Sequence, residues 1–250
     1  MKTLFFKQTA MEKLFFAIVF CMIFISCSQT KQDGFSCDDA QSWNYSVTPG
    51  MEEWNQFQSN EEMVRACQIP EDLFFCLSTE ELTELCLRYP LLTDIFAFNS
   101  LNDGLDRLFK DFNGIRELYK RSNISGSLIA GYINKLQLFP LLNDDNVSAL
   151  EKGQFLISVY TLEALMSRSA LNNNDNLKEV LKALVAGYEI ECKYPDYLSG
   201  VVYNYFARAN VIANMCEKCP DMRPLIGVGI SQETADVINE FSYQLINPSE

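Results

Sequence analysis

Apolar residues recur at helical spacing along most of this chain, and between Ile69 and Asn113 the spacing and the punctuation agree most closely. Pro70 suits a first helical turn, and Ser78 with Glu81 has the Ser-x-x-Glu spacing of a capping box. Leu82, Leu85, Cys86 and Tyr89 then fall at i, i+3, i+4 and i+7. They form one face of a helix that Tyr89-Pro90 stops. After Ser100, the residues Leu101, Leu105, Leu108, Phe109 and Phe112 draw a second face, and Asn113-Gly114 opens another helix containing Ile115, Leu118 and Tyr119.

Similar patterns flank this block. Upstream, Ser59 with Glu62 is a second capping box, opening a short helix that ends near Cys67. Downstream, Leu128, Ile129, Tyr132, Ile133, Leu136 and Phe139 mark a helix stopped by Pro140. A polar turn, Asn143 to Asn146, precedes a longer helix from about Ser148 to Ser167, with Phe155, Leu156, Val159, Leu162 and Met166 inward. Asn172 to Asn176 is expected to break the pattern as a mobile loop. Leu177, Val180, Leu181, Leu184, Val185 and Tyr188 give the cleanest helical stripe, which places Leu181 and Leu184 in the core, and Pro195 ends that element. Leu198 to Cys216 is an aromatic-rich helix, Cys219 to Gly229 is irregular through its prolines and glycines, and a last helix runs near Ser231 to Leu245.

No segment sustains alternation of period two, so the chain is expected to be all-α, with about nine to eleven helices. Tyr89-Pro90-Leu91-Leu92 and Phe139-Pro140-Leu141-Leu142 echo each other, and Tyr194-Pro195 follows, at spacings of 50 and 55 residues. Helical hairpins repeating at such intervals suggest an α-solenoid-like stack. The alternative is an irregular helical bundle.

The N-terminal segment has a different pattern. Lys2, Lys7 and Lys13 precede an unbroken apolar run of twelve residues, Leu14 to Ile25. Spanning a bilayer takes about 20 residues, so this run suits the core of a signal peptide covering residues 1–26. Met11 opens a second plausible start, MEKLFF. The run ends in Phe24-Ile25-Ser26-Cys27, which resembles a bacterial lipoprotein processing site. Cys27 is therefore expected to become the lipidated first residue of the mature chain; Phe24 stands where such sites carry leucine, which leaves simple secretion or an uncleaved anchor as the alternatives. Residues 27–48 are polar with few periodic apolar positions and read as a tether, leaving 49–250 as a single all-α domain.

The central block also carries a resemblance. Ile69 to Asp72, Ser78 to Leu82, Tyr89 to Leu92, Asp94 to Asn99 and Phe112 to Gly114 follow in the order IPED, STEEL, YPLL, DIFAFN, FNG. This resembles a family of uncharacterised envelope lipoproteins of Bacteroidetes-type bacteria. The resemblance covers about a fifth of the chain. It implies an envelope location and a helical fold, and it transfers no activity, cofactor or catalytic residue.

Charge and composition narrow the partners. The chain carries a net charge of −13, and loss of residues 1–26 removes three lysines and one glutamate, leaving 17 basic and 32 acidic residues at −15. Nucleic acid and anionic headgroups are repelled by such a balance, so no nucleic-acid partner is expected. The apolar share of 48% argues against disorder.

The sequence contains no histidine, which excludes Ser-His and Cys-His nucleophiles and imidazole-based metal sites. Cys216-Glu-Lys-Cys219 lacks the second Cys-x-x-Cys of a zinc ribbon and follows a helix where a thioredoxin-like site precedes one. It reads as a local structural disulfide or a pair of free thiols ahead of redox work or metal binding. Cys86, on an apolar helix face, reads as a small core residue. Neither asparagine-rich run has EF-hand spacing, so both read as turns and caps. A carboxylate-based mechanism on glycans needs only an acid and a base. Asp94, Asp103 and Glu163 could be named for it, but each more naturally caps a helix or faces solvent. No catalytic, metal or cofactor residue is therefore assigned. The expected function is a lipid-anchored interaction module on the envelope of a Gram-negative bacterium, at the outer membrane, meeting a protein partner. The alternative is a carboxylate-based enzyme acting on envelope glycans.

Overall fold

The computed structural model describes residues 37–168, 174–197, 199–216 and 230–248. Among these residues the fold is all-α: ten helices, several 3-10 turns and no strand. In chain order the helices are α1 (Cys37–Ser42), α2 (Asn60–Ala66), α3 (Thr79–Leu87), α4 (Leu101–Asp111) and α5 (Asn113–Leu118). There follow α6 (Ile124–Leu136), α7 (Ala149–Ser167), α8 (Asn174–Glu191), α9 (Ser199–Met215) and α10 (Gln232–Ile246).

Serines set many of the helix starts. Ser59, Ser78, Ser100, Ser148 and Ser231 each accept a hydrogen bond from the backbone N–H three residues on, supplying a partner that the first helical turn lacks. At Ser78 and Ser148 the glutamate reciprocates and the capping box is complete. Ser78→Ala is expected to lower stability by about 1 kcal/mol in denaturant unfolding. No measurable change would mean that packing alone holds the start of α3.

The face expected on α3 is the buried one: Leu82, Leu85, Cys86 and Tyr89 are all in the core. Helix α3 packs on α5 and α6, and α4 packs on the 3-10 turn Leu92–Ala97. The two ends of the organising stretch meet. Asn113 accepts from Ile69 N at 3.0 Å and donates to Ile69 O at 2.7 Å, so its amide stands in for a backbone pairing that no helix provides. Gly104 allows a close approach, because a Cβ there would collide with the backbone carbonyl of Ile95.

In the second half, α6 packs on α7 and α8, and α9 lies against α7, α8 and α10. Contacts thus pass along the chain as in a stack, and each of these helices also meets the one after next, as in a bundle. All residues from Ser158 to Ser167 are buried, so this half of α7 is covered on every side. The aromatic-proline echoes mark one structural device used repeatedly: a helix ends and a 3-10 turn follows, at Leu92–Ala97, Phe139–Asn143 and Pro195–Tyr197. The last two touch, with Phe139 and Tyr194 ring centroids 5.3 Å apart and the Tyr197 hydroxyl donating to Leu142 O at 3.0 Å.

Two expectations are corrected. The tether does not reach Thr48, because the chain joins the fold at Cys37. A Cys37–Cys76 disulfide, with Cα atoms 5.0 Å apart, fixes α1 to the turn before α3. Ala40 and Tyr45 are buried behind it, and the Tyr45 hydroxyl donates to Leu85 O at 3.1 Å. One covalent bond and two buried side chains leave no periodic trace in a sequence. The asparagine-rich break is also shorter, since Asn174 to Asn176 are the first residues of α8. Asn172, Asn173 and the segment from Cys219 to Gly229, expected to be irregular, lie outside the described residues.

Candidate functional site

Between α2, the 3-10 turn Leu92–Ala97 and α4 lies a cavity of about 220 Å³. Val64, Leu91, Ile95, Phe98 and Leu108 give it apolar walls, and Asn60, Tyr89, Asp94, Arg107 and Asp111 supply its polar groups. Arg107 and Asp111, one turn apart on α4, form an ion pair, and Arg107 Nη2 donates to Asn60 Oδ1 at 3.2 Å. This cation is therefore committed. Asp94 has no ion-pair or side-chain hydrogen-bond partner among the described residues. Partial burial holds its carboxyl above the usual range; Arg107 opposes that rise and Asp111 adds to it.

Tyr89 completes the lining. Only 4% of it is exposed, its ring stacks on Phe112 with centroids 3.9 Å apart, and its hydroxyl has no hydrogen-bond partner. Burial raises its pKa, with further upward pressure from Cys67, Asp111 and Asp94. The hydroxyl oxygen is itself buried, closed to anything that enters the cavity. A wider depression of about 480 Å³ beside Phe75 is chemically quieter. There Glu117 pairs with both Lys120 and Arg121, at 3.3 and 3.2 Å.

A second polar cluster lies in the core, where α6 to α10 converge. Glu163 Oε1 accepts from the Tyr132 hydroxyl at 2.5 Å and from Asn204 Nδ2 at 2.7 Å. Asn204 also donates to Leu184 O at 2.9 Å. Arg208 is fully buried, its guanidinium carbon 4.4 and 4.7 Å from the ring centres of Tyr188 and Tyr205, and Nη1 donates to Asn239 Oδ1 at 2.9 Å. Glu191 faces Glu163 from the end of α8. Burial raises both carboxyls, and a hydrogen bond between them lowers Glu163 while raising Glu191 further. Neither Glu163 Oε2 nor either Glu191 oxygen has another partner, so a proton kept on Glu191 supplies the missing donor. Arg208, the cation of this cluster, favours the charged form of Glu163. Gly187 makes room for it, because a Cβ there would strike the Tyr132 hydroxyl.

The residues singled out in the sequence are dispersed. Asp103 is held at the start of α4, where its backbone N–H donates to Ser100 and its carboxylate accepts from the same hydroxyl. Asp94 lines the cavity. Glu163 neither caps nor faces solvent; it is fully buried, and the hydrogen bonds from Tyr132 and Asn204 are what make that burial tolerable. The Asn143 to Asn146 run forms a turn in which Asp144 accepts from Asn146 N at 2.9 Å. Cys27 and Cys219 lie outside the described residues, and Cys216 is disulfide-bonded. Cys192 is free and exposed, while Cys67 and Cys86 are free and buried. Among the described residues no three Cys, Asp or Glu side chains gather into a group that could hold a metal ion, and no helix is long and apolar enough to cross a membrane. No family model, curated protein or solved structure matches this chain.

Proposed function

We propose that this protein is a lipid-anchored binding module of the bacterial cell envelope, attached through Cys27 to the outer membrane and recognising a protein partner with the cavity between α2 and α4. The supporting observation is that cavity, whose largely apolar walls carry one carboxylate, Asp94, with no ion-pair partner among the described residues. A net charge of −13 favours a locally basic partner, so association weakens as salt rises through the physiological range. The carboxyls that interact most closely, Glu163 and Glu191, are 0% and 4% exposed and closed to a substrate.

The second reading, a carboxylate-based enzyme acting on envelope glycans, is favoured by one observation: Asp94 and Asp111 share the cavity, and burial raises Asp94 toward the behaviour of an acid. Two measurements test the proposal. Wild-type protein is expected to partition into detergent and to gain acyl mass on Cys27, and Cys27→Ser to lose both; an unmodified, soluble wild type refutes the anchor. On a panel of glycan substrates no turnover is expected. Turnover abolished by Asp94→Asn or Asp111→Asn, with the fold intact, replaces the binding reading with the enzymatic one.

A further inference from the structure

We propose that the corner of the fold at Phe75, beside the Cys37–Cys76 disulfide, rests on a zwitterionic phospholipid bilayer, with the Phe75 ring inserted among the headgroups and Arg116 and Lys120 on their phosphates. The inference rests on the reading of Cys27 as the lipidated residue and names the face that this anchor turns toward the membrane.

Exposure marks the place. The 3-10 turn Glu71–Phe75 buries Leu73, and Leu77 follows it into the core, whereas Phe75 is 93% exposed. A single apolar residue at a surface is ordinary. What distinguishes this one is its position beside the point where the chain joins the fold. Cys37 and Cys76 have Cα atoms 5.0 Å apart, and Phe75 precedes Cys76, so its Cα lies within about 9 Å of Cys37. Cys27 stands ten residues before Cys37, so the acylated residue is at most about 36 Å away even with the chain drawn straight. A compact body of the length Cys37–Glu250 is roughly 44 Å across. The link is shorter than the body, so this corner cannot turn to the side away from the bilayer.

The chemistry around Phe75 suits that surface. Arg116 and Lys120, both exposed and one turn apart, line the depression of about 480 Å³ that Phe74 and Phe75 help to wall. Arg116 Nη1 donates to Phe109 O at 3.0 Å and Lys110 O at 2.8 Å, and its other two nitrogens have no partner among the described residues. The Lys120 side chain is 72% exposed and shares Glu117 with Arg121, so most of its donors stay available. With Arg121, three cations face Glu71 and Glu117, a local charge of +1 on a chain of −13. An aromatic tip between long cations settles at the boundary of headgroups and acyl chains, the ring on the apolar side and the cations on phosphate oxygens. Glu71 and Asp72, exposed on the same turn, and the charge of the whole chain oppose an anionic surface, which selects zwitterionic lipid.

The test incorporates full-length protein into phosphatidylcholine vesicles whose acyl chains carry bromine, a contact quencher of tryptophan emission. Phe75→Trp exchanges one exposed ring for another and leaves the fold intact. Leu150→Trp, at a side chain 71% exposed, is the comparison. Helix α6 starts where Asn123 meets Thr79, close to Phe75, and α7 begins beyond its other end, about 20 Å away. Each variant is read as its difference from wild type, which has two tryptophans of its own. The Phe75→Trp signal is expected to shift to the blue and to lose about half its intensity or more, with Leu150→Trp unquenched. Adding Lys120→Glu to Phe75→Trp is expected to cut the quenching about twofold, and adding Arg116→Glu as well to cut it further. Equal quenching at positions 75 and 150, none at 75, or no effect of Lys120→Glu overturns the inference. Acyl mass on Cys27 without quenching at position 75 overturns this face and leaves the anchor standing, whereas quenching at position 75 in a chain without acyl mass overturns the anchor and leaves the face. A protein captured from envelope extract by wild type and lost with Phe75→Ser, while position 75 stays unquenched, overturns the membrane in favour of that protein.

Discussion

Glu163→Ala is expected to lower the unfolding free energy by about 3–5 kcal/mol, the range for removing one member of a buried charged cluster. The substitution takes the acceptor from Tyr132 and Asn204 and the compensating charge from Arg208, all fully buried. A cavity left among α6, α7 and α9 adds to the loss. Glu163→Gln keeps an acceptor for Tyr132 and Asn204 and is expected to cost less, the difference reporting the charge opposite Arg208. A loss below about 1 kcal/mol in denaturant unfolding would show that the cluster does not hold the helices together.

The same cluster makes stability depend on pH, and the sign follows from Glu191. Its folded pKa lies well above the ordinary value of 4.5, first because it is buried and next because Glu163 faces it. The folded protein therefore keeps a proton that the unfolded chain releases. That contribution is fully present below pH 4.5 and is lost as pH rises through the folded pKa. The groups facing Glu191 are Glu163 from α7, Arg208 from α9 and the neighbouring Cys192; the buried Tyr132 hydroxyl is held neutral by its own raised pKa. Glu191→Gln supplies a permanent donor to Glu163 without the titration. Its stability relative to wild type is expected to grow between about pH 5 and pH 8, measured by denaturant unfolding at both values. A difference independent of pH would show that Glu191 is ionised in the fold.

Gly104→Ala is expected to cost about 3 kcal/mol, although alanine favours a helix over glycine by about 1 kcal/mol. The contact decides the sign. A Cβ at position 104 meets the backbone carbonyl of Ile95, and a peptide group held in a 3-10 turn cannot swing aside as a flexible side chain could. Relief requires the turn Leu92–Ala97 to move off α4, and this turn carries Asp94. The variant is therefore expected to lose stability, whereas Gly126→Ala, inside α6 and with nothing within 4 Å of its Cβ, is expected to gain up to about 1 kcal/mol. A stabilised Gly104→Ala would mean that turn and helix are not in contact.

The sequence by itself determined the secondary structure over most of the described chain, for a local reason. Capping serines, proline stops and apolar residues at i, i+3, i+4 and i+7 act within one or two turns of the backbone, so their message is complete in a short window. Ser78 with Glu81, the stripe from Leu177 to Val185 and the core position of Cys86 are all of this kind. The tertiary structure alone decided the rest. Cys37 pairs with Cys76 across 39 residues, and nothing near either cysteine selects the other among the nine of the sequence. Glu163 left one trace, the lone charge between Ser158 and Ser167, and Asn204 with Arg208 left another, two polar residues a turn apart in an aromatic-rich helix. What pairs them comes from separate helices brought together by burial, since a charge inside a core is tolerable only where distant partners meet it. The cavity left no trace at all. Asp94 has no ion pair because Arg107 is held by Asp111 on its own helix, and the buried Tyr89 hydroxyl has no hydrogen-bond partner while its ring stacks on Phe112. Which polar group ends up without a partner is settled only after every other group has found one, and that is a property of the packed chain.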